Sequence, residues 1–88
     1  MSAAVPTTTL MKTLADPTRR AVFERIVRSG EVSVTGLVKG SRVSRPAVSR
    51  HLRALRDAAL VAERREGRHI NYRATPRWLV PLIDWLGL

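Results

Sequence analysis

The chain has 88 residues, no cysteine, and 16 Lys and Arg against 7 Asp and Glu, for a formal net charge of +9. That length supports one small core, and the missing thiols exclude disulfides, thiol redox sensing and thiolate metal ligation. No apolar run approaches the roughly 20 residues that span a bilayer, and MSAAVPTTTLMK lacks the basic lead and apolar core of a signal peptide, so a soluble cytoplasmic protein is expected.

Residues 7–14 (TTTLMKTL) predict a short helix with Leu10, Met11 and Leu14 on one side. Asp16-Pro17 then supplies an N-cap acceptor followed by proline at the first helical position, where no N–H is needed. Val22, Phe23, Ile26 and Val27 recur at helical spacing, and Gly30 suits a left-handed stop. Residues 33–39 predict a third helix capped by Ser33. Its interior Gly36 costs about 1 kcal/mol relative to Ala, so it leans on tertiary packing. GSRVS, residues 40–44, breaks the pattern as a tight connection.

The fourth helix is predicted over 44–58, with Ser44 as N-cap and Pro46 in the first turn. Val48, Leu52, Leu55 and Ala59 form its buried stripe, while Arg50 and Arg53 point away and His51 lies nearer the core edge. After Leu60 the period shortens. Strands at 61–65 and 68–74, within a wing spanning 61–74, flank a Glu66-Gly67 turn. Ala62, Ile70, Tyr72, Ala74 and the stem of Arg64 are assigned to the inner face. Arg64, Arg65, Arg68 and His69 form a basic tip.

Thr75-Pro76 repeats the cap-plus-proline start, and RWLVPLIDWLGL is apolar nearly all round. A terminal helix of that kind cannot bury both faces against so small a core, so a subunit interface is expected. On this helix the interface set is Trp78, Leu79, Leu82, Ile83, Trp85 and Leu86. Pro81 is expected to kink this helix.

Charge adds direction to this order of elements. Residues 39–77 hold 11 basic residues against Asp57, Glu63 and Glu66, so they carry +8 of the net +9. A polyanion is the natural partner of such a segment. The fold class is therefore mainly α with a small β-hairpin: a single winged helix-turn-helix domain over residues 1–88, its last helix at a subunit interface. Double-stranded DNA is the expected partner. Ser44, Arg45, Ala47, Ser49, Arg50 and Arg53 on the reading helix, with Arg64, Arg65, Arg68 and His69 on the wing, are the candidate contacts. A non-sequence-specific architectural nucleic-acid binder is the alternative; basic tails and interleaved exposed aromatics, which would favour it, are absent. Two histidines, no cysteine and no clustered carboxylates leave no nucleophile–base pair, metal site or implied cofactor, so no enzyme is expected. Asp57 reads as an ion-pair partner of Arg53 or Arg56, and Tyr72 as a core residue.

SRPAVSRHLRALRDAALV followed by ERREGRHINYR resembles the recognition helix and wing of the ArsR/SmtB family of bacterial transcriptional repressors. LADPTRRAVFERI resembles that family's preceding helix, and the likeness runs over roughly residues 13–86. The resemblance implies a homodimer that represses transcription from an inverted-repeat operator and is joined through its first and last helices, which adds Leu10, Met11 and Leu14 to the interface; it also places His51 next to DNA. It also marks departures. Ser33 and Thr35 stand where metal-sensing members carry a Cys-x-Cys-like element, and Asp84 alone remains of the other common metal site. A neutral hydroxyl is a poor ligand for soft or borderline metals, which leaves regulation to an organic ligand, a partner protein or the protein's own level through autorepression. GSRVS replaces the family's usual leucine-glycine pair, so Arg42 is expected to be strained.

Overall fold

The computed structural model describes residues 5–88; residues 1–4 of the stretch read for a leader lie outside them. Helix α1 (Thr7–Ala15) ends against Asp16, whose carboxylate caps α2 (Pro17–Ser29) by accepting a hydrogen bond from the Arg19 N–H at 3.0 Å. Val22, Phe23 and Ile26 of α2 are buried, but Val27 faces outward. A short strand β1 (Val32–Ser33) leads into α3 (Val34–Lys39), which Ser33 caps through the Gly36 N–H. Helix α4 (Arg45–Asp57) starts from Ser44, whose Oγ accepts from the Ala47 N–H. Val48, Leu52 and Leu55 of α4 are buried to 1% exposure or less, at the centre of a core shared with Leu10, Ile26, Leu37, Leu60 and Tyr72.

The connection between α3 and α4 is unstrained, contrary to the expectation for Arg42. The Ser41 N–H donates to the Val38 carbonyl, and the Ser41 hydroxyl accepts from the Val43 N–H at 2.9 Å, closing the turn without a left-handed residue. The strained residue is Ala59, at φ 64°. It closes α4 in a Schellman motif: the Leu60 N–H bonds to the Leu55 carbonyl and the Ala59 N–H to the Arg56 carbonyl, with Leu55 and Leu60 both fully buried. A left-handed conformation costs an L-residue on the order of 1 kcal/mol. Ala59→Gly is therefore expected to raise stability by about 0.5–1 kcal/mol, read as a shifted urea midpoint at unchanged m-value.

The wing corrects the sequence reading in three ways. Strands β2 (Val61–Glu66) and β3 (His69–Ala74) are joined by Gly67 and Arg68, so the turn lies one residue beyond Glu66-Gly67. Gly67 has φ 61° and Arg68 does not have positive φ, the pattern of a type II′ hairpin turn. The register pairs Val61 with Ala74, Glu63 with Tyr72 and Arg65 with Ile70. The inner face of β2 is thus Val61, Glu63 and Arg65 rather than Ala62 and Arg64, because a one-residue slip reverses every side chain. Third, β1 pairs with β3 (Val32 opposite Tyr72), giving a three-stranded antiparallel sheet in the order β1-β3-β2.

Thr75 caps nothing. Its hydroxyl donates to the Ala59 carbonyl at 2.7 Å, and a 3-10 turn at Pro76–Trp78 precedes α5 (Leu79–Leu86). Pro81 does not kink α5; it sits buried in the first turn, where backbone N–H groups have no intrahelical partner. Trp78 packs edge-on against Phe23, ring centroids 5.2 Å apart.

Candidate nucleic-acid interface

Helix α4 and the wing place most of the expected reading residues on one surface. Ser44, Arg45, Arg50 and Arg53 are exposed on α4, with Ala47 and Ser49 half-buried between them. Arg65, Arg68 and His69 are exposed around the hairpin tip. Between helix and wing runs a groove of about 240 Å³ lined by Ser33, Val34, Thr35, Arg45, Ser49, Arg68, His69 and Ile70. It contains no carboxylate.

The neighbouring acids are neutralised within the fold. Glu63 accepts from the Tyr72 hydroxyl at 3.0 Å and lies 3.6 Å from Arg56, which also pairs with Asp57. Burial, then the Glu63 carboxylate, raises the Tyr72 phenol above its ordinary value. Among the described residues no ion pair involves Arg45, Arg50, Arg53, Arg65 or Arg68. Five guanidinium groups are thereby left for an external anion, while the acids are consumed internally.

Two expected contacts are placed differently. Arg64 reaches over the sheet to Glu31, making two hydrogen bonds of 3.1 and 2.6 Å, with Glu66 3.5 Å away. The bidentate bond holds the Glu31 carboxyl below its ordinary value and the Arg64 guanidinium above its own. Arg64 thus ties the wing to the end of α2 and is not a free group of the tip. His51 is 5% exposed and turned toward α2, where its Nδ1 accepts from Arg19 Nε at 3.4 Å. Burial is the main cause of a lowered imidazole pKa.

Three residues that position this surface went unread in the sequence. Thr35 accepts a hydrogen bond from the Arg45 guanidinium at 3.2 Å, holding it over the groove. Arg25 donates to the Gly36 and Leu37 carbonyls at 2.7 and 2.9 Å, satisfying the open end of α3 from α2. Gly40 lets it do so, since a β-carbon there would meet the guanidinium at 2.5 Å. Arg25 thus sets how the helix-turn-helix leans on α2. Arg25→Met, keeping the stem, is expected to cost about 1–3 kcal/mol in urea denaturation. The only sequence signal for these contacts was polar residues beside a helix end, which a surface also provides.

The expected interface residues divide by burial. Leu10 is 1% exposed and belongs to the protein's own core; Leu14, Trp78 and Leu82 are half-buried against it. Met11, Leu79, Ile83, Trp85 and Leu86 are exposed, joined by Val80. Helices α1 and α5 pack against one another.

A short helix, a tight turn, an exposed basic helix and a three-stranded wing define a winged helix-turn-helix regulator. Residues 14–64 match the family described as a helix-turn-helix domain. The chain is 36% identical over 78 residues to the arsenical resistance operon repressor of Escherichia coli (strain K12), covering 85% of this chain and 67% of that one. It is 45% identical over 69 residues to the HTH-type transcriptional regulator Rv2034 of Mycobacterium tuberculosis (strain ATCC 25618 / H37Rv), covering 78% of this chain and 64% of that one. The crystal structure of a possible transcriptional regulator for arsenical resistance superposes with a TM-score of 0.79 at 37% identity, over 90% of this chain and 81% of the other. The chain belongs to the ArsR family of winged helix-turn-helix transcription regulators, as its resemblance implied, and is not an enzyme. It spans about two thirds of the length of these curated relatives. Among the described residues no helix is long and apolar enough to cross a membrane.

Proposed function

We propose that two copies of this chain, acting in the cytoplasm and joined through α5 and α1, bind an inverted-repeat operator and repress transcription from it. The observation that carries this reading is the separation of two surfaces. Arg45 of α4 and Arg68 of the wing, in no ion pair among the described residues, line one groove, and an apolar stripe of α5 stands exposed elsewhere. In this reading Arg45, Ala47, Ser49, Arg50 and Arg53 enter the major groove, with Ser44 at the phosphate beside the first turn of α4. Arg65, Arg68 and His69 follow the backbone alongside, while Arg64 ties the wing to Glu31 and His51 acts from within the fold. A two-fold axis sets the two reading helices about 34–36 Å apart, one turn of DNA.

Several relatives carry arsenic resistance in their names, but this chain offers no thiol to a soft metalloid. Its Ser33 hydroxyl caps α3 and its Thr35 hydroxyl holds Arg45. Control of binding is therefore assigned to an organic ligand, a partner protein or the protein's own level through autorepression. Selection of bound fragments from random DNA, repeated at several salt concentrations, tests the reading. An enriched inverted repeat is the expected product. Featureless binding with a specificity ratio near one would instead make the chain an architectural binder.

A further inference from the structure

His51 sits in the middle of α4, directly after Arg50, yet its side chain faces inward and is 5% exposed. Its partner Arg19 is one residue with three attachments, two of them through its side chain. The guanidinium Nε donates to His51 Nδ1 at 3.4 Å, and an Nη reaches the Thr13 carbonyl in the last turn of α1 at 3.5 Å. The Arg19 backbone N–H is held by the Asp16 carboxylate. A single guanidinium thus spans from α1, the helix that packs against α5, to the centre of the reading helix.

The contact works with only one form of the imidazole. An Nδ1 that accepts is unprotonated, so the ring is neutral with its proton on Nε2. A second proton would turn the acceptor into a donor and set two cations against each other inside the fold. The charged groups facing the ring are Asp16 at the start of α2, which favours the cation, and Arg19 on α2 and Arg50 on α4, which oppose it. From α1 the nearest group is the uncharged Thr13 carbonyl, reached through Arg19.

We propose that the Arg19–His51 contact is the positioning link that fixes α4 against the α1–α2 body, so that acid weakens DNA binding by breaking it. The proposal rests on the DNA-binding reading above, but the contact itself can be tested without DNA. The sign is set by the depressed imidazole, whose ordinary value is 6.5. The stabilising contribution is fully present above that value and is lost as pH falls through the lower folded-state value.

The test uses the full chain in a His69→Gln background, which leaves His51 as the one histidine. Nitrogen-15 NMR of the imidazole is expected to show an unprotonated Nδ1 and a protonated Nε2 near neutral pH. A protonated Nδ1 overturns the proposal whether or not DNA binds. Affinity is then followed at constant ionic strength on the duplex recovered by selection, or on a mixed-sequence duplex if none is recovered. Between about pH 7.5 and 5.5 a loss of a few-fold is expected, less than the roughly ten-fold that one linked proton at the ordinary histidine value would give. His51→Asn keeps an acceptor near the Nδ1 position but cannot titrate; it should restore tight binding and flatten the profile. Arg19→Gln, a second variant in case the first fails to fold, should flatten the profile and move the imidazole titration upward. An undiminished loss of affinity in the folded variant overturns the proposal.

Discussion

A chain carrying Ile83→Glu and Leu86→Glu is expected to sediment as a monomer and to lose on the order of 100-fold of its affinity for a two-half-site duplex. Leu79, Ile83 and Leu86 lie at i, i+4 and i+7, one stripe of α5, and are 42%, 41% and 60% exposed. The opposite side of the helix is already used: Pro81 is buried and Leu82 packs on the core. Among the described residues the outward stripe is therefore left partly uncovered by its own chain, and a second copy related by a two-fold axis would cover it with the same residues. Glutamates there remove apolar area from the contact and set four carboxylates against one another across the axis. The monomer should still fold, because neither residue belongs to its core. Sedimentation gives the oligomeric state. Fluorescence anisotropy on full-site and half-site duplexes separates loss of the second half-site from damage to the reading helix, since half-site affinity should be unchanged. A parent chain that is monomeric at every concentration, or a variant that remains dimeric, would remove the interface from α5.

The helices were legible in the sequence because their ends carry local chemistry. Asp16-Pro17 and Ser44 with Pro46 announce caps whose acceptor, side chain to backbone N–H, spans only three residues. The stripe Val48, Leu52, Leu55 needs no knowledge of what it packs against. The wing was legible as a hairpin but not in register. In VAERRE the only apolar residues are adjacent, so alternation cannot choose a face, and a turn displaced by one residue reverses the strand. Strand β1 has two residues and no period to read.

The candidate interface was legible to a similar depth. The arginines of α4 follow from helical geometry, and the exposed face is where that geometry puts them. His51 and Arg64 are placed differently because their partners lie 32 and 33 residues distant, in Arg19 and Glu31; His51 is buried there, while Arg64 stays exposed but tied. A partner that far along the chain leaves no mark on the local pattern. The same holds for Leu10, whose neighbours Met11 and Leu14 share its helix but not its burial.

Replacing Arg50 and Arg53 separately by alanine should divide the surface of α4 into its two functions. Both side chains are exposed, neither joins an ion pair among the described residues, and neither contributes to the core. Protein stability should change little, and any loss of binding reports on DNA. Arg50 stands on the turn of α4 that follows Ser49 and the groove to the wing; Arg53 lies nearly one turn further along. The N-terminal half of a reading helix reaches base edges, so Arg50→Ala is expected to cost about 1–3 kcal/mol on the selected site and to relax preference at one base pair. Its loss on mixed-sequence DNA should be smaller. Arg53→Ala is expected to weaken both duplexes equally and to lower the slope of log affinity against log salt by about 0.9, the signature of one lost phosphate contact. Anisotropy titrations over a range of salt measure both quantities. If Arg50→Ala weakened all sequences alike, the side chain would be a phosphate clamp, and base readout would pass to Arg45 and Ser49 in the first turns of α4.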